Sequence, residues 1–121
     1  MIQGIFETHV HVRDLEAANE FYENQLGLKK VLTLTDRKVI FFEFPNQSQI
    51  FGIWEKTEEE WTRSHFAFEV NVSRLKSGIT WLNNKGIEAV ESFGLEPLEP
   101  IVHTWVPMAS IYFKDPDGNS L

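Results

Sequence analysis

A carboxylate and two imidazoles recur at every second residue near the start of the chain, as Glu7, His9 and His11. Side chains that alternate in this way lie on the same face of a β-strand. Glutamate oxygens and imidazole nitrogens bind divalent cations, and histidine also acts as a general base near neutral pH. The segment therefore presents three groups able to support metal-assisted or acid–base chemistry on one face.

Other chemistries are excluded by what the sequence lacks. The chain has no cysteine, which excludes a disulfide framework, a thiolate nucleophile and a cysteine zinc site. It contains no Ser/His/Asp order, no Walker loop and no dinucleotide fingerprint. The net charge of −7 argues against nucleic acid or an anionic membrane surface as a partner. No apolar run approaches the roughly 18 residues of a transmembrane helix, and no signal peptide opens the chain, so we expect a cytoplasmic protein.

Hydrophobic periodicity predicts the elements that position these groups. An alternating strand over 5–12 is followed by Asp14 as the N-cap of a helix, whose apolar residues recur at helical spacing until Gly27. Three short strands follow, at 30–35, 37–44 and 49–54, with turns at Asp36 and at 45–47.

A second unit of the same design follows a linker at 55–64. It contains a predicted strand at 65–72, a helix that is capped by Ser73 and ends at Gly86, and three further strands at 87–93, 102–113 and 119–121. Self-similarity at a spacing of about 55–60 residues indicates two structural repeats. The pattern predicts an α+β fold in one domain over 1–121, built from two βαβββ modules at about 4–55 and 65–121.

Three segments of the chain match the motifs of a known family in order and spacing. They are Thr8-His9-Val10-His11-Val12-Arg13-Asp14-Leu15-Glu16, then His65-Phe66-Ala67-Phe68, then Tyr112-Phe113-Lys114-Asp115-Pro116-Asp117-Gly118-Asn119. Together they resemble the vicinal-oxygen-chelate family of glyoxalases, bleomycin resistance proteins and dioxygenases. The resemblance implies two βαβββ modules whose curved mixed sheets form a half-open cleft, and it implies a homodimer.

The resemblance also implies a metal site. In metal-dependent members, a divalent ion in the cleft chelates neighbouring oxygens of the substrate and acts as a Lewis acid. Glu7 matches the first ligand position, where histidine is more usual, and His65 matches the third. The second position falls on Phe51, which cannot bind a metal, and the last falls just after Leu121. We expect a divalent ion such as Zn, Mn, Ni, Mg or Fe.

Further residues are expected in the cleft. His9 is placed to bind the ion, act as a general base or hydrogen-bond a substrate oxygen, and Tyr112 is placed to donate its hydroxyl. The remaining residues expected to line the cleft are His11, Phe51, His103 and Trp105. The alternative for the tryptophans is a position in the core or at a dimer contact.

The resemblance leaves three functions open. The first is a glyoxalase-like metal-dependent lyase, isomerase or transferase that acts on a small oxygen-chelating substrate. The second is a metal-free drug-binding protein of the bleomycin-resistance type, favoured by the acidic charge, the aromatic content and the incomplete ligand set. The least supported is an extradiol-type dioxygenase, which requires two histidines and one carboxylate. In each case the expected partner is a small molecule, as substrate or drug.

Overall fold

The computed structural model describes residues 1–45 and 49–121, and its contacts divide the chain into two units. Unit 1 comprises Met1–Ser64, and unit 2 comprises His65–Leu121. Both contain helices and β-structure, so the predicted α+β class is confirmed. In the part of the chain that the structure describes, no helix is long and apolar enough to span a bilayer. The module limits of about 4–55 and 65–121 stay predictions.

Unit 1 contains a four-stranded sheet with the spatial order β1-β4-β3-β2. Its strands are β1 (Glu7–Val12), β2 (Lys29–Leu34), β3 (Val39–Glu43) and β4 (Ile50–Glu55). The outer strand β1 is parallel to β4, and the other pairs are antiparallel. The four predicted strands therefore form, with ends that differ by one or two residues. Of the turn predicted at 45–47, Pro45 forms a turn, and the other two residues lie outside the described part.

The helix of unit 1 begins as predicted, at Asp14. The Asp14 carboxylate accepts hydrogen bonds from the N–H groups of Glu16 and Ala17, both at 3.0 Å, and α1 (Leu15–Asn19) follows. These donors lack partners within the helix, so the cap satisfies two of them. A second carboxylate, that of Glu55 at the end of β4, accepts from the Leu15 N–H at 3.1 Å. The helix start is thereby fixed to the C-terminal end of β4.

The second half of this helix is a π-helix rather than the α-helix that the sequence predicts. It covers Glu20–Gln25, and its wide turn is closed by the Leu26 N–H, which donates to the Phe21 carbonyl at 2.9 Å. Both Phe21 and its neighbour Tyr22 are buried, together with Ala18 one turn earlier. Gly27 then ends the helix with φ of +79°, as predicted.

Aromatic rings form the core between this helix and the sheet. The ring centroid of Tyr22 lies 5.0 Å from that of Phe51 and 6.2 Å from that of Phe42, and all three side chains are fully buried. Val10 and Val12 of β1 are buried on the same side of the sheet. Side chains alternate along a strand. Glu7, His9 and His11 of β1 therefore lie on the opposite face of the sheet.

The first part of unit 2 departs from the prediction. Of the strand predicted over 65–72, only His65 forms a β-bridge, with Ser120. Two short helices follow, α2 (Val72–Leu75) and α3 (Gly78–Asn84). The N-cap of α2 is Asn71 instead of Ser73. The alternating apolar residues of this run, such as the half-exposed Val70, are not buried, so they do not specify a strand.

The strands predicted at 87–93 and 102–113 are both broken. Region 101–110 is a hairpin of β5 (Ile101–His103) and β6 (Met108–Ser110). Its turn, 104–107, contains Pro107, which lacks the N–H group that a central strand needs. The 87–93 run contributes isolated bridges, one of them between Ala89 and Phe113.

The Asp-Pro-Asp-Gly turn organises the last residues of unit 2. The Asp115 carboxylate accepts from the N–H groups of Asp117 and Asn119, at 3.0 and 2.8 Å, and from the Asn119 side-chain nitrogen at 2.8 Å. Both Asp115 and Asn119 are buried. Beyond the turn, Phe113 and Leu121 exchange two backbone hydrogen bonds of 3.0 and 2.9 Å, as facing residues of antiparallel strands do.

Candidate functional site

The face of unit 1 opposite the helix carries the predicted first ligand and the predicted base. Glu7 and His9 are both exposed on β1, and among residues 1–45 and 49–121 no hydrogen bond or ion pair engages the Glu7 carboxylate. In the parallel pairing with β4, Glu7 lies beside Ile50 and His9 lies beside Gly52. The face therefore offers a carboxylate and an imidazole with apolar neighbours.

An aromatic floor lies next to His9 and is made possible by a glycine. The His9 ring is 5.5 Å from that of Trp54, and the Trp54 and Phe41 rings meet edge to face at 6.2 Å. A Cβ added at Gly52 would lie 3.0 Å from Phe41 Cε1 and 3.2 Å from Trp54 Nε1. A side chain at this position would require the two rings to shift by a few tenths of an ångström, so glycine suits their close approach to the strand. The Trp54 Nε1 is buried and has no hydrogen-bond partner among the described residues.

Phe51 is not part of this face. It pairs with Thr8 and is fully buried against Tyr22, on the helix side of the sheet. The prediction that Phe51 lines a cleft is therefore wrong, because successive residues of β4 alternate between the two faces and Phe51 lies on the helix side. The residues of β4 that share the face of Glu7 are Ile50, Gly52 and Trp54, and none of them carries a metal-ligating atom.

His11 is held by contacts that support the linker. Its carbonyl accepts from Trp61 Nε1 at 3.0 Å, and its Nδ1 lies 3.2 Å from the Thr62 hydroxyl. The Arg13 guanidinium stacks on the Trp61 ring at 3.7 Å and forms an ion pair with Glu58. These contacts explain Trp61 as a residue that fastens the linker to β1.

The carboxylates of the last residues of β3 and β4, Glu43 and Glu55, are already engaged. Glu43 forms an ion pair with Lys29 across the strand pair at 2.5 Å. The hydrogen bond from Lys38, at 2.6 Å, and that from the Leu15 N–H hold the pKa of Glu55 below its ordinary value. Both side chains therefore act in the structure of unit 1 instead of as free ligands.

In unit 2, a backbone carbonyl fixes the orientation of His65. The Nδ1 atom lies 3.2 Å from the Ser120 carbonyl oxygen. Because a carbonyl oxygen only accepts, Nδ1 must carry the proton, and the lone pair of the neutral ring is then on Nε2. A histidine whose second nitrogen donates to a carbonyl is the usual arrangement of a metal ligand.

Tyr112 connects His65 with a buried histidine. Its ring stacks with that of His65 at 6.4 Å, and its hydroxyl lies 3.3 Å from His103 Nε2. His103 is only 5% exposed, and its Nδ1 is buried without a hydrogen-bond partner in the described part of the chain. Trp105, predicted on the same strand as His103, lies in the hairpin turn and is 71% exposed.

Phe93 belongs to this cluster and was not predicted. Its ring lies 5.5 Å from His103, 6.1 Å from Trp105 and 5.9 Å from Tyr112. The signal that could have found it is the Phe93-Gly94 pair in a segment that otherwise suggests a loop, since a turn there displays whatever side chain precedes the glycine.

Of the two predicted ligands, Glu7 belongs to unit 1 and His65 belongs to unit 2. Across residues 1–45 and 49–121, no three His, Asp or Glu side chains are gathered closely enough to hold a metal ion. His65 fits a metal ligand by its tautomer, and Glu7 by its unengaged carboxylate.

Comparisons with known proteins place these features among relatives. The model of the Glyoxalase/Bleomycin resistance protein/Dioxygenase superfamily matches residues 4–121. The chain is 26% identical over 128 residues to the metallothiol transferase FosB of Staphylococcus saprophyticus, a match that covers 98% of this chain and 74% of that protein.

Solved structures show the same fold. The integron cassette protein HFX_CASS4, from the mobile metagenome of the Halifax Harbour sewage outfall, is 29% identical with a TM-score of 0.84, and the match covers 99% of this chain and 96% of that one. A lactoylglutathione lyase from Agrobacterium tumefaciens is 22% identical with a TM-score of 0.75, over 98% and 90% of the two chains. At that identity the second likeness supports the fold alone.

Proposed function

The chain belongs to the Glyoxalase/Bleomycin resistance protein/Dioxygenase superfamily, and from this premise we propose that it is a glyoxalase-like enzyme that depends on a divalent metal. It would act as a lyase, isomerase or transferase on a small substrate that chelates through neighbouring oxygens. The observation that carries the proposal is the hydrogen bond from His65 Nδ1 to the Ser120 carbonyl. This bond leaves Nε2 as a lone-pair donor in advance of any ligand.

Glu7 and His65 are the proposed metal ligands. One hard carboxylate oxygen and one imidazole nitrogen suit Zn, Mn, Ni, Mg or Fe. Such an ion supplies Lewis-acid stabilisation to an oxyanion or enolate that develops on the substrate. The ligand chemistry of the two residues fits this role, although they are fewer than a complete set.

We propose that any residue following Leu121 would be placed to serve as a further ligand. Phe113 and Leu121 face each other in an antiparallel pair, so a residue after Leu121 would face Tyr112. Facing side chains in such a pair are about 5 Å apart at their Cβ atoms. The Tyr112 ring in turn stacks with that of His65. A glutamate there would therefore project toward the neighbourhood of His65.

His9 and Tyr112 are the proposed catalytic residues. His9 is exposed beside Glu7 on β1, where its imidazole can accept a proton from a substrate carbon or hydroxyl. Tyr112 can donate its hydroxyl to a substrate oxygen when His103 Nε2–H donates to the phenol oxygen, since the hydroxyl proton is then free. In this arrangement His103 donates to the phenol oxygen and orients the hydroxyl, while the hydroxyl proton stays available for the substrate.

Metal content of purified protein tests this proposal, with the natural C-terminus retained. We expect a stoichiometric divalent ion by elemental analysis, reduced at least about tenfold in affinity in Glu7→Ala and in His65→Ala. Glu59→Ala, an exposed carboxylate on the linker, is the matched control and should keep the ion. No metal in the wild type, together with tight binding of a large cationic or aromatic compound, would instead establish the metal-free drug-binding alternative.

The choice among reactions is tested by substrate class. The similarity to a metallothiol transferase makes thiol transfer the first reaction to test, by loss of free thiol in the presence of an electrophile. We also propose that the protein is a homodimer, which light scattering after gel filtration measures directly. A monomer at micromolar concentration contradicts the dimer without affecting the metal proposal.

A further inference from the structure

An arginine lies over the Glu7 face of unit 1, at the turn between β2 and β3. Arg37 is exposed there, and among residues 1–45 and 49–121 its guanidinium forms no hydrogen bond and no ion pair. The adjacent cation differs, because the Lys38 ammonium is engaged by Glu55 at 2.6 Å. Of these two neighbours, Arg37 is therefore the one whose donors are open to a ligand.

Trp54 holds the Arg37 guanidinium in place. The Arg37 Cζ atom lies 5.0 Å from the centre of the Trp54 ring, close enough for attraction between a cation and an aromatic face. The turn that carries Arg37 is closed by the Lys38 N–H, which donates to the Thr35 carbonyl at 3.2 Å. A long side chain loses rotamer freedom when it binds, and one that is already held loses less. Arg37 is thus prepared for a ligand in advance.

The ring that holds Arg37 also contacts the proposed base. Trp54 shares the face of Glu7 and His9, and its ring lies 5.5 Å from the His9 ring. Arg37 and His9 therefore both lie against one indole. A substrate whose reacting end lies at His9 can place a second group at Arg37, remote from the oxygens that react.

The charges on this face favour one negative charge on that second group. Lys29 and Glu43 form an ion pair, and the Glu7 carboxylate is unengaged among the described residues. A carboxylate balances one guanidinium, and its planar shape accepts two parallel N–H donors from the guanidinium fork. A phosphonate dianion would carry a second negative charge, which Glu7 would repel.

We infer that Arg37 is a specificity residue that binds a carboxylate of the substrate. The inference rests on the proposed function and adds a substrate class to it: a small oxygen-chelating acid whose carboxylate is remote from its reacting end. Trp54 is the residue that positions Arg37 for this contact.

Benzoate, which is charged at neutral pH, is the probe, and benzamide is its neutral control of the same shape. The Trp54 indole N–H is a suitable reporter, because it is buried without a hydrogen-bond partner in the described part of the chain. The protein has four tryptophans, so the indole signals of the ¹⁵N-labelled chain are few, and Trp54→Phe identifies that of Trp54. In EDTA-treated protein we expect benzoate to shift this signal saturably. Its affinity should exceed that of benzamide about fivefold, the ratio expected of one exposed charge-assisted pair.

Arg37→Gln removes the guanidinium from an exposed position, so the circular dichroism spectrum should be unchanged while the two affinities become equal within about twofold. Lys38→Gln is the matched control, since it removes the same charge from the adjacent residue, and it should keep the fivefold ratio. A ratio near one in the wild type, a ratio retained in Arg37→Gln or an equal loss in Lys38→Gln would each overturn the inference. Tighter binding of phenylphosphonate than of benzoate would overturn the assignment to a carboxylate.

This measurement and the metal analysis fail separately. The benzoate ratio is measured without metal, so a protein that binds no metal can still show it. Conversely, a stoichiometric metal ion in a protein without the ratio would leave the proposed function standing and remove the role of Arg37.

Discussion

Replacing Asp115 by asparagine should lower the free energy of unfolding by about 2–4 kcal/mol, more than most single substitutions. In the native turn, one carboxylate oxygen accepts from the backbone N–H groups of Asp117 and Asn119, and the other accepts from the Asn119 side-chain nitrogen at 2.8 Å. An asparagine at 115 keeps one oxygen for the two backbone donors. It then presents an NH₂ group to the NH₂ group of Asn119.

The magnitude follows from the burial of Asn119, whose exposure is 0%. A buried donor left without an acceptor costs about 1–3 kcal/mol. The two backbone donors also lose a charged acceptor, which weakens each bond by roughly half a kcal/mol or more.

Urea denaturation followed by tryptophan fluorescence measures the effect. With a slope of about 2 kcal/mol per M, in the middle of the range for small proteins, the midpoint should fall by roughly 1–2 M while the slope is unchanged. Asp36→Asn, in the exposed turn between β2 and β3, is the matched control and should change stability by less than about 0.5 kcal/mol. If the two variants lose the same amount of stability, the assignment of Asp115 as the organiser of the turn is incorrect.

Two further predictions concern unit 1. Because its pKa is depressed in the folded state, mainly by Lys38 and then by the Leu15 N–H, Glu55 stabilises the fold above its unfolded pKa; that stability is lost as pH falls below about 4. Denaturation from pH 7 to pH 3 should therefore show the deficit of Glu55→Gln shrinking with acid, and a constant deficit would contradict the assignment. Gly27→Ala should cost about 1 kcal/mol by thermal unfolding, since φ is +79° with open space around the added Cβ, whereas Gly4→Ala should be neutral. Equal losses in the two glycine variants would count against backbone strain at Gly27.

The strands and the helix start of unit 1 are predictable from the sequence because local signals and burial agree there. Val10 and Val12 alternate with polar residues, and the face they define is buried against the helix. Asp14 caps that helix, and Gly27 ends it with a left-handed backbone. Each signal acts over a few residues and is confirmed by the tertiary packing.

The π-helix and the place of Phe51 are not predictable from the same signals. An α-helix and a π-helix share most of their apolar pattern: Ala18, Phe21 and Tyr22 are buried at the spacing that also predicts an α-helix. For Phe51, an uninterrupted apolar run over β4 conceals which residues face the helix, so the period of two gives no register.

In unit 2 the prediction fails where pairing is reduced to single bridges. His65 and Ala89 each form an isolated bridge. The alternating residues around them are therefore not part of a continuous strand, although their pattern predicts one. The positions with clear local chemistry, Asp115 and Gly118 in the turn, are correctly placed, and Gly118 has φ of +91°. The candidate ligands could be named from motifs, whereas the Phe93 ring depends on a turn type that the sequence indicates only weakly.

The partner of His65 is a main-chain carbonyl, that of Ser120, and this affects how the site can change by mutation. Substituting the side chain at 120 leaves that carbonyl oxygen in place. The hydrogen bond that keeps the proton on His65 Nδ1 is therefore unaffected by such a substitution. The orientation of the His65 ring instead depends on Asp115, whose side chain accepts a hydrogen bond from the N–H of Asn119, the residue before Ser120. A substitution at position 115 is therefore the change most able to disturb the orientation of His65 while keeping the histidine itself. Such a variant should also lose stability.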